Sequence, residues 1–204
     1  MSCYKNSENI TYTALNVKTA PATEPVTTTE CKTFLRLDET GFDTMIAGLI
    51  IGCRQAIEKY LGRTLISTVW QAYFEQFPSS EAEIELPYGP YITVDSVKYT
   101  DTDGDEQTWS SDEYQTDLKS MFARVKPAYG YSYPSVRDKM NPIVVEYTAG
   151  YGTSGSDVPD CIKVALKMCV ADVFEHPEAE TEAKLKENKT YQRLLAAYKI
   201  PYNT

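Results

Sequence analysis

DTMIAGLIIGCRQAIEKYL, residues 43–61, is followed by Gly62 and sets the reading of the whole chain. Its apolar residues are Met45, Ile46, Leu49, Ile50, Cys53, Ile57, Tyr60 and Leu61. They recur every three or four places, which is helical spacing, and they share one broad face. Asp43 is expected to cap the N-terminus and Gly62 to end the helix. Beside the apolar face, Gly48, Gly52 and Ala56 lie one turn apart. A glycine inside a helix costs about 1 kcal/mol against alanine, so two of them suggest that another backbone comes close. Ile51 projects from the opposite side, among Arg54, Gln55 and Glu58. Two explanations stand for it: a single exposed isoleucine, which is ordinary, or a second neighbour for this helix.

Outward from this helix, hydroxyl and acid in Thr27-Thr28-Thr29-Glu30 have capping-box spacing. Cys31, Phe34 and Leu35 give a short helix, and a turn at 37–41 returns the chain as a helical hairpin. After Gly62 the period becomes two, which is that of strands. Trp70, Ala72 and Phe74 alternate with polar neighbours, as do Ile84 and Leu86. Ile92 to Tyr99, Gln107 to Trp109, Ala123 to Val125 and Ile143 to Thr148 continue the series, with a hairpin turn at Asp101-Thr102-Asp103-Gly104. Tyr129 to Pro134 is an aromatic loop. Helix returns after Asp157 and Pro159. There Ile162, Val164, Leu166, Met168, Val170, Val173 and Phe174 cover nearly the whole circumference, which predicts burial on most sides. His176-Pro177 ends that helix, residues 178–189 form a charged run, and Tyr191, Leu194, Leu195 and Tyr198 make a last amphipathic helix. Residues 1–25 are an extended arm, either with one short strand at 10–17 or as a free tail.

The expected architecture is therefore α+β. A helical-bundle core (residues 26–65 and 157–200, the N-terminal helical hairpin plus the C-terminal helices) carries an inserted all-β module at 66–150, preceded by the arm at 1–25.

Composition narrows the function. Twenty Lys and Arg against 29 Asp and Glu give a net charge of −9. A binder that neutralises phosphates, or one that docks on anionic lipid, needs a basic surface instead. No stretch approaches the ~20 apolar residues of a membrane span, and residues 1–10 lack an apolar signal core, so a cytosol-like compartment is expected. The five cysteines, at 3, 31, 53, 161 and 169, form no close pair and read as free thiols.

No catalytic constellation emerges. The one histidine, His176, stands at a helix end, where it is expected to cap the C-terminus. No nucleophile-elbow motif accompanies it. One histidine without paired cysteines gives no zinc site. Asp101, Asp103 and Asp105 surround Gly104, but the glycine is fourth where a calcium loop needs it sixth. No phosphate-binding glycine pattern occurs. Catalytic, metal and cofactor residues are thus all expected to be none.

Several segments taken in order resemble the tailed-phage head–tail connector (adaptor) proteins, in particular a longer branch in which a β module interrupts the helices. They are Val26-Thr27 with Glu30, Lys32 and Leu35 to Asp38, then Ala56 to Ile66. Leu86 to Pro90, Val94 to Tyr99, Asp103-Gly104 with Gln107-Thr108, and Val145 to Gly152 follow. Val158-Pro159 and Leu194-Leu195 with Tyr198-Lys199 complete the set. The arm, the tyrosine loop and the charged run depart from the pattern.

The resemblance implies a structural protein of the virion neck, assembled in the host cytoplasm. It implies a ring of itself, a dodecamer, below the portal protein. The ring would extend the channel for packaged DNA, without sequence recognition, and support a stopper or tail-completion protein. It implies no catalysis, cofactor or membrane. Gly48, Ile51, Gly52 and Ala56 are then candidates for the subunit interface. For the C-terminal residues Tyr191, Leu194, Leu195, Tyr198, Ile200 and Tyr202 two destinations stay open, the chain's own domain or the portal. The rival reading is a monomeric β-rich module that binds carbohydrate or protein through Trp70, Trp109 and the tyrosine loop.

Overall fold

The computed structural model describes residues 12–79, 82–176 and 189–200. Tyr202 and nearly all of the charged run lie outside them. The described chain is a mixed α+β fold with four α-helices and eight strands in two antiparallel sheets. A helical-bundle core is not what organises it. Two separate apolar cores exist, one among helices and one between sheets. The chain divides into two units, residues 21–67 with 150–204 and residues 1–20 with 68–149. The β unit is more than an insertion between helices, because its edge strand comes from the segment before the first helix.

The helical unit starts with α1 (Thr28–Leu35). The capping box forms: Thr27 Oγ1 accepts from the Glu30 amide at 3.1 Å, and Glu30 Oε2 accepts from the Thr27 amide at 2.7 Å. That backbone bond holds the Glu30 carboxyl below its usual range. A short 3-10 turn, Thr40–Phe42, leads into α2 (Asp43–Leu61). Asp43 is not the N-cap. Phe42 holds that place with no side-chain cap, and Asp43 pairs instead with Lys32 Nζ at 2.8 Å. The 3-10 turn already leads the backbone into helix, which leaves the carboxylate free for the lysine. Gly62 does end α2, with a left-handed φ of 66° and its amide on the Glu58 carbonyl.

Ile46, Ile50, Ile57 and Leu61 of α2 are fully buried against α3 (Asp160–Glu175). On α3 only one face is buried, through Ile162, Ala165, Leu166, Cys169 and Val170, while Cys161 and Val164 are exposed. The expected burial on most sides does not occur, because α1, α2 and the last helix all pack on that one face. His176 is the C-cap of α3, its amide on the Asp172 carbonyl at 3.0 Å. The last helix is α4 (Lys189–Leu195).

Arg54 and Glu58 are buried rather than solvated. Arg54 Nε bonds Glu24 and its Nη1 bonds Glu58, each at 2.7 Å. Glu58 Oε1 also accepts the Leu65 amide at 2.8 Å. The network ties α2 to the segment before α1 and to the loop after Gly62. Burial pushes the Glu58 carboxyl up, against the pull of Arg54. The described cysteines are free thiols, and Cys53 hydrogen-bonds Cys169 between α2 and α3. At the return from the β unit, Gly150 has φ +141°, and a Cβ there would lie 2.5 Å from the Ser67 amide nitrogen.

The β unit holds a five-stranded sheet in the order β1 (Ala14–Thr19), β2 (Thr68–Phe74), β8 (Ile143–Ala149), β4 (Tyr91–Thr100) and β5 (Glu106–Thr108). The second sheet runs β3 (Ile84–Leu86), β7 (Ala123–Pro127) and β6 (Tyr114–Asp117). Ala72, Val145 and Val97 are register partners across the large sheet, and all three are fully buried. Between the sheets they meet Ile84, Leu86, Ala123 and Val125. Tyr147 is also buried there, its hydroxyl donating to the Pro87 carbonyl at 2.9 Å. β6 has no sign in the sequence, since Tyr-Gln-Thr-Asp has no apolar alternation.

Candidate assembly surface

One face of α2 stays open. Thr44, Met45, Gly48, Ile51, Gly52 and Gln55 are exposed and lie three or four residues apart, on one line along the helix. Met45 is 48% and Ile51 43% exposed. No charged side chain belongs to this line between Asp43 and Lys59, because Arg54 and Glu58 are turned inward. A Cβ built on Gly48 or Gly52 would meet nothing within 4 Å among the described residues. Packing inside the unit therefore gives no reason for either glycine. Ala56 differs from them: it is half-buried and packs against the helical core.

The described C-terminal residues pack internally. Tyr191, Leu195 and Ile200 are buried in the core of the helical unit, and Leu194 and Tyr198 are half-buried. The Ile200 amide donates to the Leu61 carbonyl at 2.9 Å, Arg63 Nε donates to the Tyr198 carbonyl, and the Lys199 ammonium sits 4.4 Å from the Tyr60 ring centre.

The aromatic surface of the rival reading does not form. Trp109 is 2% exposed, and Trp70 stacks on Tyr88 with ring centres 5.3 Å apart. Phe77 gathers Tyr133 at 5.0 Å, Trp109 at 5.6 Å and Tyr99 at 6.3 Å into one internal cluster. Only the tip of the tyrosine loop reaches out, with Tyr129 at 103% and Tyr131 at 54% exposure.

Three acidic groups of the β unit are occupied locally. Asp101 Oδ1 accepts the amides of Asp103, Gly104 and Asp105 at 3.1, 2.9 and 3.0 Å, as an Asx-type turn does, and Gly104 supplies φ +104°. A bond from the Gln107 side chain, together with those amides, holds Asp101 below the usual carboxylate range. On the smaller sheet Arg124 bridges Glu83 and Asp117, and Lys126 joins Glu83 at 3.2 Å. The Arg124 bond depresses the Asp117 carboxyl far below the ordinary range. These are pairs that neutralise one another. Among the described residues no group of side chains is arranged to hold a metal ion, and no helix is long and apolar enough to cross a membrane.

A family model described as head completion protein matches residues 24–194. The chain belongs to the head completion protein family. Membership bears out the resemblance to head–tail connectors. No curated protein sequence matches it. Among solved structures, a chain from the virion of a native gene transfer agent particle superposes with TM-score 0.76 at 20% identity, covering 93% of this chain and 97% of that one. A chain from the neck of the empty particle, computed with C6 symmetry, gives 0.76 at 20% identity over 94% and 97%. The neck of the native particle, computed with C12 symmetry, gives 0.71 at 19% over 94% and 97%. At this identity the likeness is one of fold. What sequence reasoning missed is the burial of Arg54 and Glu58, paired with each other and with Glu24, which clears charge from the outer line of α2.

Proposed function

We propose that this head completion protein is a ring-forming connector of the virion neck. Twelve copies sit below the portal, extend the channel for packaged DNA and present a platform for a stopper or tail-completion protein. The role is structural and involves no catalysis. The observation that carries the proposal is the open, uncharged face of α2. Gly48 and Gly52 each cost about 1 kcal/mol in a helix, and no contact among the described residues repays that cost. A neighbouring copy that packs close to the helix would. A ring needs a heterologous contact, in which one patch meets a different one on the next copy, and the portal can impose the rotation that closes it. The net charge of −9 suits a conduit that must release DNA rather than grip it.

Ile51→Asp tests the reading. Its side chain is outside the helical core, so the variant should fold with an unchanged melting temperature. It places a charge in a desolvated contact, so filled capsids should fail to acquire a neck. Normal particles from Ile51→Asp would remove this face from the interface.

A further inference from the structure

The connector reading leaves open what covers the α2 face. A ring contact needs two different patches, and the chain has a second exposed patch of matching character. From the last residue of β7 toward β8 the sequence PAYGYSYPSV, residues 127–136, runs ten residues without a charge in a chain that is 24% charged. The loop is held in a defined shape. Tyr133 stacks on Phe77 and its hydroxyl donates to the Ala82 carbonyl at 2.9 Å. Further on, the Arg137 amide donates to the Thr100 carbonyl at 3.0 Å. Between β7 and the Tyr133 anchor the chain turns, with the Tyr131 amide on the Ala128 carbonyl at 3.0 Å and Gly130 at φ +86°. That turn carries Tyr129 and Tyr131 outward, the first fully exposed.

A fixed loop ending in tyrosines is an efficient contact. Each ring buries large area at a small entropic cost, and its hydroxyl tolerates a polar rim. The character of the occupant follows from charge. Two copies with an excess of nine acids each repel wherever acid meets acid. Neutral surfaces escape that repulsion. The outer line of α2 is neutral, and Met45 and Ile51 rise from it as apolar side chains. A tyrosine ring against a methionine sulfur is a favourable contact.

We propose, resting on the ring reading, that the Tyr129–Tyr131 loop of one copy packs on Met45 and Ile51 of the next copy's α2. The two patches are then the unlike halves of the lateral contact. The loop's target is a second copy of this chain, not another virion protein.

The test is site-specific photocrosslinking in assembled particles. Tyr129 is replaced by p-benzoylphenylalanine, which keeps an aromatic side chain at a fully exposed position, and particles are irradiated and digested. The expected product has twice the chain's 23.0 kDa, and its crosslinked peptide maps to residues 43–61 of the second copy. A charge exchange supports it independently. Ile51→Glu and Tyr129→Lys should each abolish neck assembly, and the two together should restore it. A crosslink to another protein, one mapping outside α2, or no dimer at all overturns the inference. So does a double variant that stays defective. If the crosslink goes elsewhere while Ile51→Asp still blocks the neck, only this inference falls; if Ile51→Asp assembles normally, the α2 interface itself falls.

Discussion

Removing residues 189–204 should unfold the helical unit. The deleted segment takes Tyr191, Leu195 and Ile200 out of the core, residues that are 3%, 0% and 1% exposed. Burying a large apolar side chain contributes about 1.5–3 kcal/mol, so the three together contribute roughly 5–9 kcal/mol. The Ile200–Leu61 backbone bond and the Arg63 bond to the Tyr198 carbonyl go with them. A domain's whole stability is about 5–15 kcal/mol, so the loss is comparable to the total. The assay is thermal unfolding followed by the helical circular-dichroism signal. The truncated chain should lose most of that signal or melt far below the full chain. Leu195→Ala grades the effect: at a fully buried leucine it should cost about 2–5 kcal/mol. A truncated chain with the full helical signal and an unchanged midpoint would refute the reasoning. It would mean that the segment lies on the core without supporting it and is available to another partner.

Other expectations follow from single contacts. Gly52→Ala should stabilise the isolated chain by up to about 1 kcal/mol in chemical denaturation, since the added methyl meets nothing; a destabilised variant would reveal a hidden neighbour. Tyr147→Phe should cost about 0.5–1.5 kcal/mol, because the Pro87 carbonyl loses a buried donor, and an unchanged unfolding midpoint would count against that bond. Glu58 has a raised carboxyl pKa in the folded chain, so it takes up a proton before the unfolded chain does. Its contribution to stability therefore grows as pH falls from neutrality through the raised pKa toward the ordinary value of 4.5. Measured at pH 7 and again near pH 5, the parent should gain on Glu58→Gln as pH falls; a parent that loses ground would contradict the assignment.

How far the sequence reveals this structure depends on how local each cause is. The Thr27–Glu30 capping box, the Gly62 stop and the exposure of Ile51 are written within one or two helical turns, and all are visible before any fold is known. The burial of Arg54 is not. Its partner Glu24 lies 30 residues upstream, and Glu58 is closed off by an amide beyond Gly62. Long helices also announce themselves more loudly than strands. β6, Tyr-Gln-Thr-Asp, has no apolar alternation to register, and β1 becomes a sheet edge only by pairing with residues 69–73. That imbalance makes the chain read as a helical bundle with a β insertion, whereas the structure has a sheet core of equal standing. At the candidate site, the open α2 face is legible from spacing. The apolar C-terminus is legible too, but the burial of Tyr191 and Leu195 among the helices is not. Tyr129 and Tyr133 look alike in sequence; only the Phe77 cluster separates the anchor from the exposed tip.

The central claim is that twelve copies of this chain close a ring in the virion neck. A reconstruction of the assembled neck tests it most directly. The account predicts twelve copies directly below the portal, with α2 between neighbouring copies. A trimer or hexamer of this chain, or a neck from which it is missing, would contradict it.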